Sequence, residues 1–174
     1  MLRSQLNPMP EYFDRYILKN DDVEMLEAIQ ISLDELEQLP LDIWKTLGDS
    51  VYAPGKWTVR DILQHIIDTD RIFTFRALAA ARGETQSLPF YDEDAYADAA
   101  KANDRSLEDL IHELKLGRQS LQAMYQSFNE EMLQRQVIGF KGAYSVASIG
   151  FILPGHQRWH FAVLEERYYP LVRV

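Results

Sequence analysis

Apolar residues recur along this chain at three- and four-residue intervals, the spacing of one buried face of an α-helix. Val23, Leu26, Ile29, Leu33 and Leu36 form one such stripe and predict a helix over 21–39. Asn20 or Asp21 can cap its start, and Pro40 stops it. Ile62, Ile66, Phe73, Ala77 and Ala80 predict a second helix over 58–82. Thr58 can cap it with Asp61 three residues on, and Gly83 can close it in the left-handed conformation. A third helix is predicted over 106–128, opened by Ser106 with Asp109, and a fourth over 145–169, ended by Pro170. Pro154-Gly155 falls inside the fourth. A proline there removes a backbone donor, so a kink or interruption near 150–154 is expected.

The segments between these helices read differently. Residues 1–10, with Pro8 and Pro10, form an irregular lead-in, and 12–17 read as a short helix or a segment packed on the bundle. A polar connection with Gly48, Pro54 and Gly55 precedes the second helix. Residues 84–105 are a long connection with a short helical stretch to about Ala102, and long connections in compact domains often bind something. Residues 129–144, with Gly139 and Gly142, are a second. No strand pattern stands out. Four long helices predict an all-α four-helix bundle, one domain over residues 1–174, and the long connections permit parallel neighbours.

Composition narrows the function classes. Apolar residues make up 47% and charged residues 26%, which is globular usage. The net charge of −9 with no basic run argues against nucleic acid as a partner. No apolar run approaches a membrane span, so no membrane partner is expected, and the start lacks a signal-peptide core, so a cytoplasmic location is expected. Cysteine is absent, so a metal would be held by histidine or carboxylate.

Histidine supplies the candidate chemistry. His156 and His160 are four apart and share one helix face. His65 interrupts the apolar stripe of the second helix, where an unpaired polar group is costly. A lone histidine there reads as a core residue bonded to a carbonyl. Three from two helices facing one core read as ligands for a divalent metal, with a coordination position left open for water or substrate. Three imidazoles suit zinc or nickel first, with iron, manganese or copper as alternatives.

Three segments carry a family resemblance: Pro54-Gly55-Lys56-Trp57-Thr58-Val59-Arg60-Asp61-Ile62-Leu63-Gln64-His65, then Leu88-Pro89-Phe90-Tyr91-Asp92-Glu93-Asp94-Ala95-Tyr96, then Gly155-His156-Gln157-Arg158-Trp159-His160. In order and separation the chain resembles the DinB/YfiT-like superfamily of metal-dependent bacterial proteins over about residues 20–170. The resemblance implies an up-down-down-up four-helix bundle with metal ligands at His65, His156 and His160. It implies a small-molecule substrate, a low-molecular-weight thiol such as bacillithiol or mycothiol, and a homodimer. Two departures stand out. Gln157 replaces an acid and Trp159 an extra histidine found in many relatives, and Pro154 replaces a small residue.

Other residues take ordinary readings. His112 reads as a surface histidine, and Trp57 as packing at the start of the second helix. Asp92, Glu93 and Asp94 favour the N-terminus of the short helix over ligation. Asp61 or Asp68 could orient His65, although capping accounts for Asp61. Arg76 and Arg158 read as surface ion-pairing residues before anion binders. Ser145 and Ser148 read as caps, not nucleophiles. The expected function is a metal-dependent enzyme transferring a thiol to an electrophile. The alternatives are a metal-dependent hydrolase, whose general base the sequence does not supply, and a non-catalytic metal or small-ligand binding protein.

Overall fold

The computed structural model describes residues 1–87, 89–139 and 142–172. Leu88 of the second resemblance segment and the last two residues of the expected domain lie outside the described residues. The elements run α1 (Asp14–Ile17), α2 (Met25–Glu35), α3 (Leu41–Leu47), α4 (Val59–Ala81), α5 (Glu93–Ala100), α6 (Leu107–Gln126), α7 (Glu130–Gln134), β1 (Gln136–Gly139), β2 (Gly142–Ser145) and α8 (Val146–Val163). The long helices α2, α4, α6 and α8 form the all-α four-helix bundle. A π-helical turn, Leu164–Tyr168, extends α8.

Side-chain pairs fix the helix directions. Between α4 and α6, Thr58 meets Asn103 at one end and Asp70 meets Arg118 further along, so these two run parallel. Between α2 and α8, Met25 lies against Gly150 and Ser32 meets Gln157, again parallel. Gln30 with Gln122 and Lys115 with Glu37 make α2 and α6 antiparallel. Tyr168 with Trp57 and His156 with His65 do the same for α8 and α4. The order is therefore up, down, down, up, which the long connections make possible.

The capping signals act as expected. Thr58 Oγ1 accepts from Asp61 N–H while Asp61 accepts from Thr58 N–H, and Gly83 has φ +98°. Ser106, Asp92 and Ser145 cap α6, α5 and α8. Four expectations need correction. The first helix starts at Met25, not near residue 21, because residues 23–25 pair with the N-terminal strand-like segment: Arg3 N–H donates to Val23 and Met25 N–H to Met1. Asn20 is buried, and its amide donates to Ile17 and Phe151 carbonyls instead of capping. After Glu35 the chain tightens into three-residue turns, and α3 then occupies part of the expected polar connection, burying Trp44 and Leu47. A small hairpin, β1–β2, pairs Gln136 with Ser145 through Gly139 with Gly142, where no strand was expected. Its alternation is short: only Val137 and Tyr144 turn inward.

Pro154 removes a backbone donor as expected, but the interruption expected as one outcome does not occur. Helix α8 continues through it without interruption. Carbonyls near the proline gain side-chain donors, from Asn20 to Phe151 O at 2.8 Å and from Arg118 to Leu153 O at 3.4 Å. Neither replaces the bond that the proline removes, which is the one its nitrogen would have donated to the Gly150 carbonyl. Gly155 beside it admits α1: a Cβ there would stand 1.9 Å from the Tyr16 carbonyl oxygen.

Two apolar clusters fill the bundle. One gathers α1, the start of α2, the end of α4, the hairpin and the start of α8. The other gathers α3, the starts of α4 and α6, and Leu164, Tyr168 and Tyr169. A buried polar layer crosses the bundle between them, made of Ser32, His65, Asp70, Arg118, His156 and Gln157. No helix of the described residues is long and apolar enough to cross a membrane.

Candidate metal centre

Helix periodicity builds the centre. One turn of α8 puts His156 and His160 on the same face, and antiparallel α4 brings His65 opposite them. His156 Nε2 lies 3.1 Å from His65 Nε2 and 3.0 Å from His160 Nε2. One ligand atom from each ring lies within 4.8 Å of the others, and no carboxylate joins this group among the described residues.

Burial keeps these rings neutral. It pushes His65 down to about 4 and His160, with His65 adding to the effect, down to about 3. His156 is held well below the usual histidine range by burial first, then by its two neighbours and the Arg118 charge. Near pH 7 all three are neutral imidazoles, the form that ligates.

Hydrogen bonding cannot satisfy this cluster from within. A ring nitrogen carries either one hydrogen or one lone pair, so His156 Nε2 cannot serve both neighbours. His156 Nδ1 is also buried without a partner among the described residues. A cation shared by the three Nε2 atoms suits this donor set, and it would be a nitrogen-only site with protein ligands on one side.

The other expected site residues separate cleanly. Asp61 is taken up by the α4 cap and Asn103, and Asp68 accepts from Gln64. Neither bonds a histidine ring. Asp92 caps α5, and Arg158 pairs with Asp21 and Glu35, both as expected. His112 is exposed, as expected. Gln157 points away from the histidines, and its amide donates to Ser32 O and Glu35. Trp57 does more than pack at the helix start: its ring lies 4.7 Å from that of His65 and 6.5 Å from that of His160.

A narrow cleft of about 90 Å³ opens beside His65 and His156. Its wall is aromatic, with Phe13, Tyr16, Phe73, Tyr91 and Tyr144, and it also holds Arg76 and Glu93. Arg76 is a correction, because it is buried and makes no surface ion pair; its guanidinium donates to the Pro89 carbonyl at 2.9 Å. The sequence carried a signal for this. Thr69, Phe73, Arg76 and Ala80 follow helical spacing, so Arg76 shares the stripe that faces inward. Glu93 belongs to the cleft as well as to the first turn of α5, and burial raises its carboxyl.

A family model for the DinB superfamily matches residues 8–164. The chain belongs to the DinB superfamily. Two solved structures share its fold. YfiT from Bacillus subtilis, described as a probable metal-dependent hydrolase with an unusual four-helix bundle topology, is 18% identical, with a TM-score of 0.70 over 98% of this chain and 93% of that one. A mycothiol-dependent maleylpyruvate isomerase is 11% identical, with a TM-score of 0.63 over 93% of this chain and 62% of that one. No curated protein matches in sequence. At these identities the likeness establishes the DinB-type bundle and leaves the chemistry to the residues.

Proposed function

We propose that the chain is a metal-dependent enzyme acting on a small molecule. His65, His156 and His160 hold one divalent ion, zinc or nickel before iron, manganese or copper, and a low-molecular-weight thiol is the co-substrate. The observation that carries this reading is the meeting of three neutral Nε2 atoms, unsatisfied by one another, at the edge of an aromatic cleft. An ion held by these three rings would supply the Lewis acidity that lowers the pKa of a thiol or water. The chain does the rest. Trp57 backs the His65 and His160 rings, the aromatic wall excludes water, and burial keeps the ligands deprotonated. The thiol is supported by the shared fold of the mycothiol-dependent isomerase and by the absence of an acid at position 157.

Glu93 favours a second reading, hydrolysis. Its carboxyl lines the same cleft with its pKa raised by burial, as suits a general base. One experiment separates the two. Purified protein is analysed for metal, then assayed with 1-chloro-2,4-dinitrobenzene plus bacillithiol, mycothiol or cysteine, and with a p-nitrophenyl ester lacking thiol. The expected result is one ion per chain and thiol-dependent conjugation that disappears in His65→Ala. Thiol-independent ester cleavage selects hydrolysis. Failure to take up any of the five metals overturns both.

A further inference from the structure

Arg76 lies about three helical turns along α4 from His65 and is 7% exposed. A buried guanidinium normally has a carboxylate partner. Arg118, in the same bundle, has one in Asp70. Among the described residues Arg76 has the Pro89 carbonyl, the face of the Phe73 ring 4.8 Å away and the neutral Tyr144 hydroxyl, none of them an acid. No ion pair joins it to an acid among the described residues. Glu93, the acid of the same cleft, feels Arg15 as its opposing charge.

A second observation points to the same place. Tyr144 is 2% exposed and lines the cleft, yet among the described residues its hydroxyl bonds no backbone group and no acid. Glycine at 139 leaves room for that hydroxyl, since a Cβ there would lie 3.0 Å from Tyr144 Oη. Phe13 and Phe73 fix the phenol ring by edge and stacked contacts. Arg76 offsets part of the rise that burial gives the Tyr144 hydroxyl, both by its charge and by a hydrogen bond to that oxygen, which leaves the hydroxyl hydrogen free. A rigid O–H and a guanidinium thus converge on one end of the cleft with donors to spare.

We propose that Arg76 and Tyr144 recognise a carboxylate on the substrate, and that the substrate is a small acid with an aromatic or otherwise apolar body. Both donors suit a planar oxyanion: the guanidinium offers a fork of N–H groups, and the phenol a single O–H. The body lies among Phe13, Phe73, Tyr91 and Ile152. The far end reaches His65 and His156, which line the same cleft. This proposal rests on the metal-dependent reading for what happens at that far end, but not for the binding itself. Arg76 is a specificity-determining residue, and it fixes which molecules are presented to the histidines.

The test is a titration of the full chain, both as purified with its metal content measured and after chelation. The probes are benzoate and its neutral isostere benzamide, followed by Trp57-containing intrinsic fluorescence and calorimetry. Benzoate is expected to bind at least roughly tenfold more tightly than benzamide in both states, since a charge-assisted bond in a buried site is at stake. Arg76→Gln is expected to abolish that preference, Arg76→Lys to restore part of it, and Tyr144→Phe to reduce it about threefold to tenfold. A purely structural Arg76 would lower the unfolding midpoint and leave the ratio alone. Equal binding of benzoate and benzamide by the wild-type chain, or no saturable benzoate binding, overturns the proposal even if no variant folds. Preference that appears only with metal bound also overturns it, by placing the carboxylate on the ion. Loss of metal uptake with the preference intact would instead remove the metal-dependent reading and leave this one standing.

Discussion

The polar layer that crosses this bundle has two halves, and they are built on opposite terms. In one, Arg118 is fully buried and its guanidinium reaches both Asp70 oxygens, the Ser32 hydroxyl and the Leu153 carbonyl, joining α2, α4, α6 and α8. In the other, three imidazoles meet at His156 Nε2, which cannot serve both neighbours, and among the described residues His156 Nδ1 has no partner. Burial is similar in both. What differs is satisfaction. The first half is closed among protein groups, and the second is not closed among the described residues. A buried polar cluster that finishes its own hydrogen bonds serves the fold, whereas one that cannot is a binding site in waiting.

Replacing Asp70 gives the largest expected effect. Asp70→Ala strands a charged guanidinium in the core, and breaking a buried pair from one side costs about 3–5 kcal/mol. Urea unfolding monitored by circular dichroism reads this directly. Substituting Asp70→Leu together with Arg118→Met is expected to recover most of the loss, because an apolar pair of similar volume avoids desolvating two charges. If the double variant is no more stable than Asp70→Ala, the pair does not act as a closed unit and the contrast fails.

His156→Ala tests the other half, and the prediction inverts. Metal affinity is expected to fall by well over a hundredfold, since losing even an outer partner of a ligating histidine costs about 10–100-fold. Stability of the chelated protein is expected to fall by no more than about 2 kcal/mol, because the ring's unsatisfied nitrogen partly offsets the cavity left behind. Competition with a chromophoric chelator gives the first quantity and urea unfolding the second. A metal-free variant destabilised as severely as Asp70→Ala would mean that the histidines also serve the fold.

The two halves were unequally legible in the sequence. His65, His156 and His160 declared themselves, because a polar residue on an apolar stripe and an i,i+4 pair are local signals. The caps at Thr58, Ser106 and Ser145 were local too, and each is present. Asp70 and Arg118 are 48 residues apart and on different helices, so nothing in either neighbourhood announces the pair. Residues 23–25 leave the first helix for a pairing with the chain's first residues, a contact that no stripe encodes. Helix α3 was readable in part, from Leu41, Trp44 and Leu47 at three-residue spacing after Pro40, but its seven residues sit below the length at which periodicity decides. Tyr144 shows its inward direction only within a four-residue strand, too short for alternation to stand out.

Thr58 sits between the two cases and gives the smallest expected effect. Its hydroxyl is partnered as fully as the guanidinium of Arg118, since it meets Asp61 N–H, the Asp61 carboxylate and Asn103. Its partners, however, lie near solvent: Asp61 is half-buried, and its contact with Asn103 is exposed. If partner number alone set the cost, Thr58→Ala would rival Asp70→Ala. If burial of what is left behind sets it, water replaces the lost hydroxyl and only the cap is forfeited, about 1 kcal/mol. The second outcome is expected, read as a drop of that size in urea unfolding. Metal affinity should hardly move, because His65 lies two turns into α4 and is fixed by packing against Trp57 as well as by the helix start. A loss above about 3 kcal/mol would show that the cap holds the metal half of the layer in place, and would tie together two regions that the hydrogen bonds keep apart.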